Sequence, residues 1–117
     1  MHLTFLGKGG SQVKDCPTLY ATDQGSYVVA GWQTNRSDTV EIPHLLLGFT
    51  ERDTLIGATL TDTGRGTFAL TGRPITDTET LDQLDLESDE TAIEVPRTER
   101  TLYGADASRR AAGQPLS

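Results

Sequence analysis

GSYVVAG at residues 25–31 and GTFALTG at residues 66–72 decide the fold of this chain. Aligned, the two heptads are identical or similar at each position, or at worst small for small. Each is a short apolar run with aromatic and branched residues between two glycines, the composition of a strand rather than a helix. A Thr-Leu pair precedes each at the same spacing, Thr18-Leu19 and Thr59-Leu60. Downstream, Val40-Glu41-Ile42-Pro43 is echoed by Ile93-Glu94-Val95-Pro96. The first two blocks recur after 41 residues and the third after 53, so twelve extra residues enter the second copy, within the acidic segment TDTETLDQLDLES at 76–88. Collinear blocks with one gap are the mark of an internal repeat, and insertions in repeats map to surface connections. The pattern predicts a tandem duplication of a β-β-β unit.

Working outward, PTLYAT (17–22) and SYVVAGWQ (26–33) flank Asp23-Gln24-Gly25, whose Asp and Gly supply turn chemistry, so they form a hairpin. In the second copy, strands at 56–61 and 67–73 flank the longer Gly-bearing link 62–66. Third strands are expected at 39–42 and 91–95, each halted by a proline that cannot donate to a central ladder. A further strand is expected at 2–7. Proline suits the first position of a helix, which favours a helical turn after each third strand, a bent continuation of the strand being the competing reading. Thr76 followed by Glu79 makes a capping box, with Leu81 and Leu84 on one face of a short helix. The expected class is mainly β (β-rich α+β): six or seven mainly antiparallel strands with one or two short helices, as a sandwich, a partly open barrel or a continuous sheet. Residues 1–104 would form one compact domain of two repeats, about 1–50 and 55–104, sharing a core, because sixty-residue units bury too little surface alone. Residues 105–117, with almost no apolar anchor, read as a disordered tail.

The formal net charge of −7 repels phosphate backbones, so direct nucleic-acid binding is disfavoured. Most of that charge comes from one stretch: residues 77–94 carry eight acids and no Lys or Arg. One cysteine, Cys16, allows no internal disulfide and no cysteine metal cage. The amino terminus has no basic region with an apolar core, and no apolar run is long enough to span a bilayer. These features predict a cytoplasmic, unanchored protein.

The runs GKGGSQVKDCPTLYATDQGSYVVAGW (7–32) and TDTETLDQLDLESDETAIEVP (76–96) resemble a group of small uncharacterised proteins of streptomycetes and related actinobacteria. Those proteins carry CPTLY-type and GSYVV-G-W-type strands, a helical acidic segment and a V-E-V-P strand. Here the features are spread over two copies, Trp32 in the first and the helical segment in the second. The resemblance implies no known activity and no catalytic residues. Group members are often encoded beside helix-turn-helix regulators, which implies a regulatory role with such a regulator as partner.

Candidate chemistry is sparse. FLGKGGS (5–11) has a glycine-rich character but lacks the phosphate-loop spacing and a following helix, so it reads as a loop. Lys14 would favour a Cys16 thiolate, yet no histidine stands at partner spacing, and a structural cysteine is the better reading. His44 has no second ligand near it in sequence, so no metal site is expected. No catalytic residue and no cofactor is expected, and a non-catalytic module follows. The residues expected to meet a protein partner are Trp32, whose place in the second copy is taken by Arg73, and Asp82, Asp85 and Glu87 of the acidic segment. Leucines spaced among acids can bind a basic, apolar-anchored partner. The plainer alternative puts the leucines on the core side and the acids in water. The rival function is a small-ligand or enzymatic protein with a pocket between the repeats.

Overall fold

The structure, a computed structural model, describes residues 1–9 and 17–99. Cys16, Lys14, part of the glycine-rich loop and the 105–117 tail lie outside the described residues. Among the described residues the chain is mainly β, with nine strands paired antiparallel in an open sheet: β1 (Leu3–Lys8), β2 (Thr18–Thr22), β3 (Ser26–Gln33), β4 (Thr39–Pro43), β5 (Thr54–Ile56), β6 (Thr61–Asp62), β7 (Thr67–Thr71), β8 (Arg73–Pro74) and β9 (Glu90–Glu99). A 3-10 helix, His44–Phe49, follows β4, and a one-turn helix α1 spans Thr78–Leu81. The strand order runs β1-β2-β3-β4-β7-β6, with β9 pairing β3 on one edge and β5 and β8 on the other.

The two quoted heptads become β3 and β7, and both hairpin turns need glycine backbone. Gly25 and Gly66 have φ of 76° and 84°, a region costly for any residue with a Cβ. Gly31 and Gly72 are glycine for a different reason. A Cβ at Gly31 would lie 2.8 Å from the carbonyl oxygen of Glu41, and one at Gly72 would lie 2.6 Å from that of Glu94. Each glycine lets its strand cross tightly over the Val-Glu-Ile or Ile-Glu-Val strand of its own half.

The long pairings cross between halves. β3 pairs β9 from Ser26↔Pro96 to Trp32↔Glu90, and β4 pairs β7 from Thr39↔Thr71 to Pro43↔Thr67. Within a half the third strand meets its neighbour only briefly, Trp32↔Glu41 and Gln33↔Val40 in one case, Arg73↔Glu94 and Pro74↔Ile93 in the other. All these registers interconvert under the 41- and 53-residue offsets, as do Tyr20↔Val28 and Thr61↔Ala69 in the β2–β3 and β6–β7 hairpins.

β3 is buried on both faces from Ser26 to Gly31, so each face carries its own core. One comprises Leu19, Tyr27, Val29, Val40, Ile42, Leu46, Leu70, Ile93 and Val95, with Leu60 and Phe68 packed against it. The other comprises Leu3, Val28, Ala30 and Ala92, with Met1, Tyr20, Ile75, Leu84 and Leu86 laid over it. At roughly 1.5–3 kcal/mol for each fully buried large aliphatic or aromatic side chain, the first cluster supplies most of the stabilisation. The acidic segment works on the second core, because Leu84 and Leu86 seal its outer face. The equivalent outer face of the other half carries Thr39, Thr61, Ala69 and Thr71, and there the Thr39 hydroxyl bonds to Asp38 and to the Thr71 hydroxyl.

Four expectations are corrected. The third strand of the second half does not stop at Pro96 but continues as strand to Glu99, where a helical turn was expected from Pro96 onward. Pro96 lies opposite Ser26 at the start of β3, its carbonyl accepts from Gly57 N–H at 2.7 Å, and Arg97, Thr98 and Glu99 pair with β5. A proline is tolerated where its missing donor has no ladder partner to lose. After Pro43 the helical turn does form, because Leu46 is drawn into the first core. The strand expected at 56–61 is two short strands, β5 and β6, with a bend between them where Gly57 passes close to Pro96 and Thr98. The strand at 67–73 is interrupted at Gly72, whose N–H is taken by Asp38 O as the chain leaves β4 for β9. Finally, α1 is capped by Asp77, not Thr76: the Asp77 carboxylate accepts from Thr80 N–H at 3.0 Å.

Candidate functional site

The acidic segment is a strap that crosses the outer face of the sheet and returns. It leaves β8 with Ile75 N–H bonded to Ala92 O on β9. It reaches the outer strand β1, where Gln83 Oε1 accepts from Leu3 N–H at 2.8 Å, Gln83 Nε2 donates to Met1 O at 2.6 Å, and the Met1 amino group donates to Thr80 Oγ1 at 3.2 Å. Leu84 and Leu86 then point into the second core on the return. The strap ends beside β3, where Asp89 O accepts from Gln33 N–H at 2.8 Å and Glu90 Oε1 accepts from Glu87 N–H at 3.0 Å. Alternation of acid and leucine thus resolves into a water side and a core side, although Leu81 stays 36% exposed.

The four candidate residues are distributed along this path. Trp32, half-buried, faces Glu90 across the ladder, with Glu87, also half-buried, bonded to that same Glu90. Trp32 and Glu87 therefore share one end of the strap. Asp85 is exposed midway, near enough to Tyr20 to act on it: burial first, and then the Asp85 and Glu90 carboxylates, push the Tyr20 phenol above its usual range. Asp82, exposed, caps the C-terminal end of α1 beside Gln83 and the N-terminus. That places it level with Ser26, six residues along β3 from Trp32, roughly 20 Å at strand rise. The structure brings Trp32 and Glu87 together and holds Asp82 apart from them.

Among the described residues no Lys or Arg pairs with Asp82, Asp85 or Glu87. The bases of this region are engaged elsewhere. Arg73, at the place matching Trp32, pairs with Glu94, and the amino terminus lies 3.9 Å from Glu79. The Glu94 carboxyl is pushed up by burial, but the bonds from Ser26 and Arg73 outweigh this and hold it below the usual range. The Asp77 carboxyl is held low by the Thr80 hydroxyl and then the Thr80 amide.

Residue spacing alone did not single out two hydroxyl–carboxylate networks. Ser26 Oγ donates to Glu94 Oε2 at 2.6 Å and meets Thr22 Oγ1 at 2.7 Å, while Thr67 Oγ1 donates to Glu41 Oε2 at 2.5 Å and meets Thr63 Oγ1 at 2.5 Å. Thr22 also accepts from Gln24 N–H and Thr63 from Arg65 N–H. The recoverable signal was a Thr four residues before a Ser or Thr at each hairpin. These networks brace the two hairpin turns.

An open groove of about 640 Å³ is lined by Arg36 and Thr39 from the first half and by Thr59, Thr61, Thr71 and Pro96 from the second. Its one charged group, Arg36, is tied to Asp38 through both Nε and Nη2 at 3.1 Å. His44 stacks on Phe68 at 4.2 Å between ring centres and lies 3.9 Å from Asp62. Among the described residues no group of three or more His, Cys, Asp or Glu is placed to hold a metal ion. No described helix is long and apolar enough to cross a membrane. Compared with protein-family models, with curated proteins and with solved structures, the chain matches none.

Proposed function

We propose that this chain is a non-catalytic regulatory or protein-interaction module of an actinobacterial cytoplasm, offering the acidic strap and the Trp32 end of β3 to a protein partner. The observation that supports this most is the strap's anchorage. Its leucines and backbone are committed to the sheet, while Asp82 and Asp85 are left facing water with no base beside them among the described residues. Fixed carboxylates on a braced support steer a basic partner and suppress acidic ones. A half-buried Trp next to Glu87 adds an aromatic anchor of the kind that dominates interface energy. The partner this chemistry fits is a protein with a basic rim around an apolar pocket. A helix-turn-helix regulator, with its phosphate-binding bases, is the first candidate, in keeping with the resemblance described above, and direct nucleic-acid binding is not part of the reading.

The test is affinity capture from actinobacterial cytoplasm with the wild-type chain, Trp32→Ala, Glu87→Arg and the Asp82→Arg/Asp85→Arg pair, each first checked for native circular dichroism. Retention of one protein should fall at least tenfold for the charge reversals and weaken as salt is raised. Undiminished retention by every variant would end the proposal. Because Asp82 stands where the strap turns at β1 and Trp32 stands on β3 where the strap ends, losses at only one of these places would say which the partner meets.

A second reading is favoured by one feature, the groove shared by the two halves. A small polar ligand there would raise the melting temperature in a metabolite screen, and Thr71→Leu, which removes a lining hydroxyl, would abolish that shift.

A further inference from the structure

We infer that the two halves are one β-β-β unit used twice, completed by exchange of third strands, and that a second copy of this chain can therefore replace the chain's own half to give a strand-exchanged dimer. This goes beyond the interaction reading and does not depend on it.

The pairing pattern carries the argument. Each half's third strand makes its long ladder with the other half, seven residue pairs for β3–β9 and five for β4–β7, against two each for β3–β4 and β8–β9. A half by itself would leave β4 only its two pairs with β3, and β9 only its short pairings with β5 and β8. The buried polar contacts cross in the same sense, since Ser26 of the first half bonds Glu94 of the second and Thr67 of the second bonds Glu41 of the first. Core positions correspond two by two: Leu19 with Leu60, Tyr27 with Phe68, Val29 with Leu70, Val40 with Ile93, Ile42 with Val95. Gly31 and Gly72 make the same close crossing over Glu41 and Glu94. Separate lines of sequence, hydrogen bonding and packing thus obey one pair of offsets.

Such an interface is indifferent to whether its two sides belong to one chain. Exchange would make the same contacts between copies and would require only that the link between the 3-10 helix and β5, residues 50–53, open. That connection contains a strained point, Asp53 at φ 59°, and a latch. Tyr27 Oη accepts from Glu51 N–H at 2.7 Å and meets Thr54 Oγ1, which donates to Glu51 O at 2.8 Å. The latch holds the connection closed and favours the single-chain form. Short, strained hinges are the usual site of exchange between copies. In the exchanged dimer each folded body contains one half from each chain and is incomplete without the partner copy.

The test uses the full chain. Wild-type protein is unfolded in denaturant and refolded by dilution at about 5 µM and about 500 µM, and its mass is measured by light scattering after chromatography. A second form lacks Arg52 and Asp53, which shortens the connection. The expected result is monomer at low concentration and, at high concentration, a dimer fraction raised at least fivefold, with monomer-like circular dichroism and no dissociation for hours after dilution. The shortened chain should be mainly dimeric. Wild-type chains that refold only as monomers at the higher concentration would overturn the inference, whether or not the shortened form folds. So would a dimer that falls apart within minutes of dilution, since an edge-paired dimer needs no unfolding to separate.

Discussion

Removing a single oxygen from the latch tests whether it closes the molecule. Tyr27 is fully buried, and the hydroxyl directions are determined by its neighbours: Thr54 Oγ1 donates to Glu51 O, so it accepts from Tyr27, whose oxygen accepts from Glu51 N–H. Tyr27→Phe keeps the ring and its packing. It loses one hydrogen bond to a neutral group, worth about 0.5–1.5 kcal/mol, and leaves a part-buried amide without its acceptor, worth about 1–3 kcal/mol before relaxation. The two overlap, so we expect a loss of about 2 kcal/mol. For a domain of this size that lowers the melting temperature by on the order of 10 °C. Urea unfolding read by circular dichroism should show a lower midpoint with an unchanged slope, since no additional surface is exposed. Thr54→Val, measured alone and together with Tyr27→Phe, should give a coupling energy of about 1 kcal/mol, as contacting residues do. A loss below about 0.5 kcal/mol with no coupling would refute the latch. The requirement for a hydroxyl at position 27 comes from the 49–54 connection, to which it is bonded.

Gly31→Ala and Gly72→Ala should each destabilise by about 1–3 kcal/mol, because a Cβ at either site meets backbone that cannot yield cheaply; unfolding midpoints within error of wild type would contradict this. Leu84→Ala should cost about 1–2 kcal/mol, toward the low side for a partly exposed leucine, and should speed amide exchange at Leu3 and Gln83. Asp77 and Glu94 have folded-state carboxyls held below their unfolded values. Their contribution is therefore complete above about pH 5 and lost as pH falls through about 4 toward the lowered folded values. Stability measured from pH 6 to pH 2.5 should decline over that range, and the decline should be shallower in Asp77→Asn, whose amide does not titrate.

The glycine-bounded heptads, the turn residues of both hairpins and the apolar run of β3 are local signals, and each was legible because backbone conformation and side-chain period are set within a few residues. The strap's leucines could be placed on a core side for the same reason. Pro96 shows where local reading stops. A proline halts a strand only if its nitrogen faces a ladder acceptor, and whether it does depends on where β3 begins opposite it. Trp32 and Glu87 stand far apart in sequence and were joined by the β3–β9 ladder, while Asp82, close to Glu87 in sequence, was carried away by the strap's course to β1. The Tyr27 latch had no sequence signal, since Tyr27 lies on β3, more than twenty residues before Glu51 and Thr54. By itself the sequence determined the mainly β class, the hairpin turns and the acidic character of one connection, all consequences of short-range sterics, hydrophobic period and composition. It read six or seven strands where nine are formed among the described residues. Only the tertiary structure decided that third strands pair across the halves, because antiparallel ladders are chemically alike and the choice among them is made by the core that all of them must enclose together.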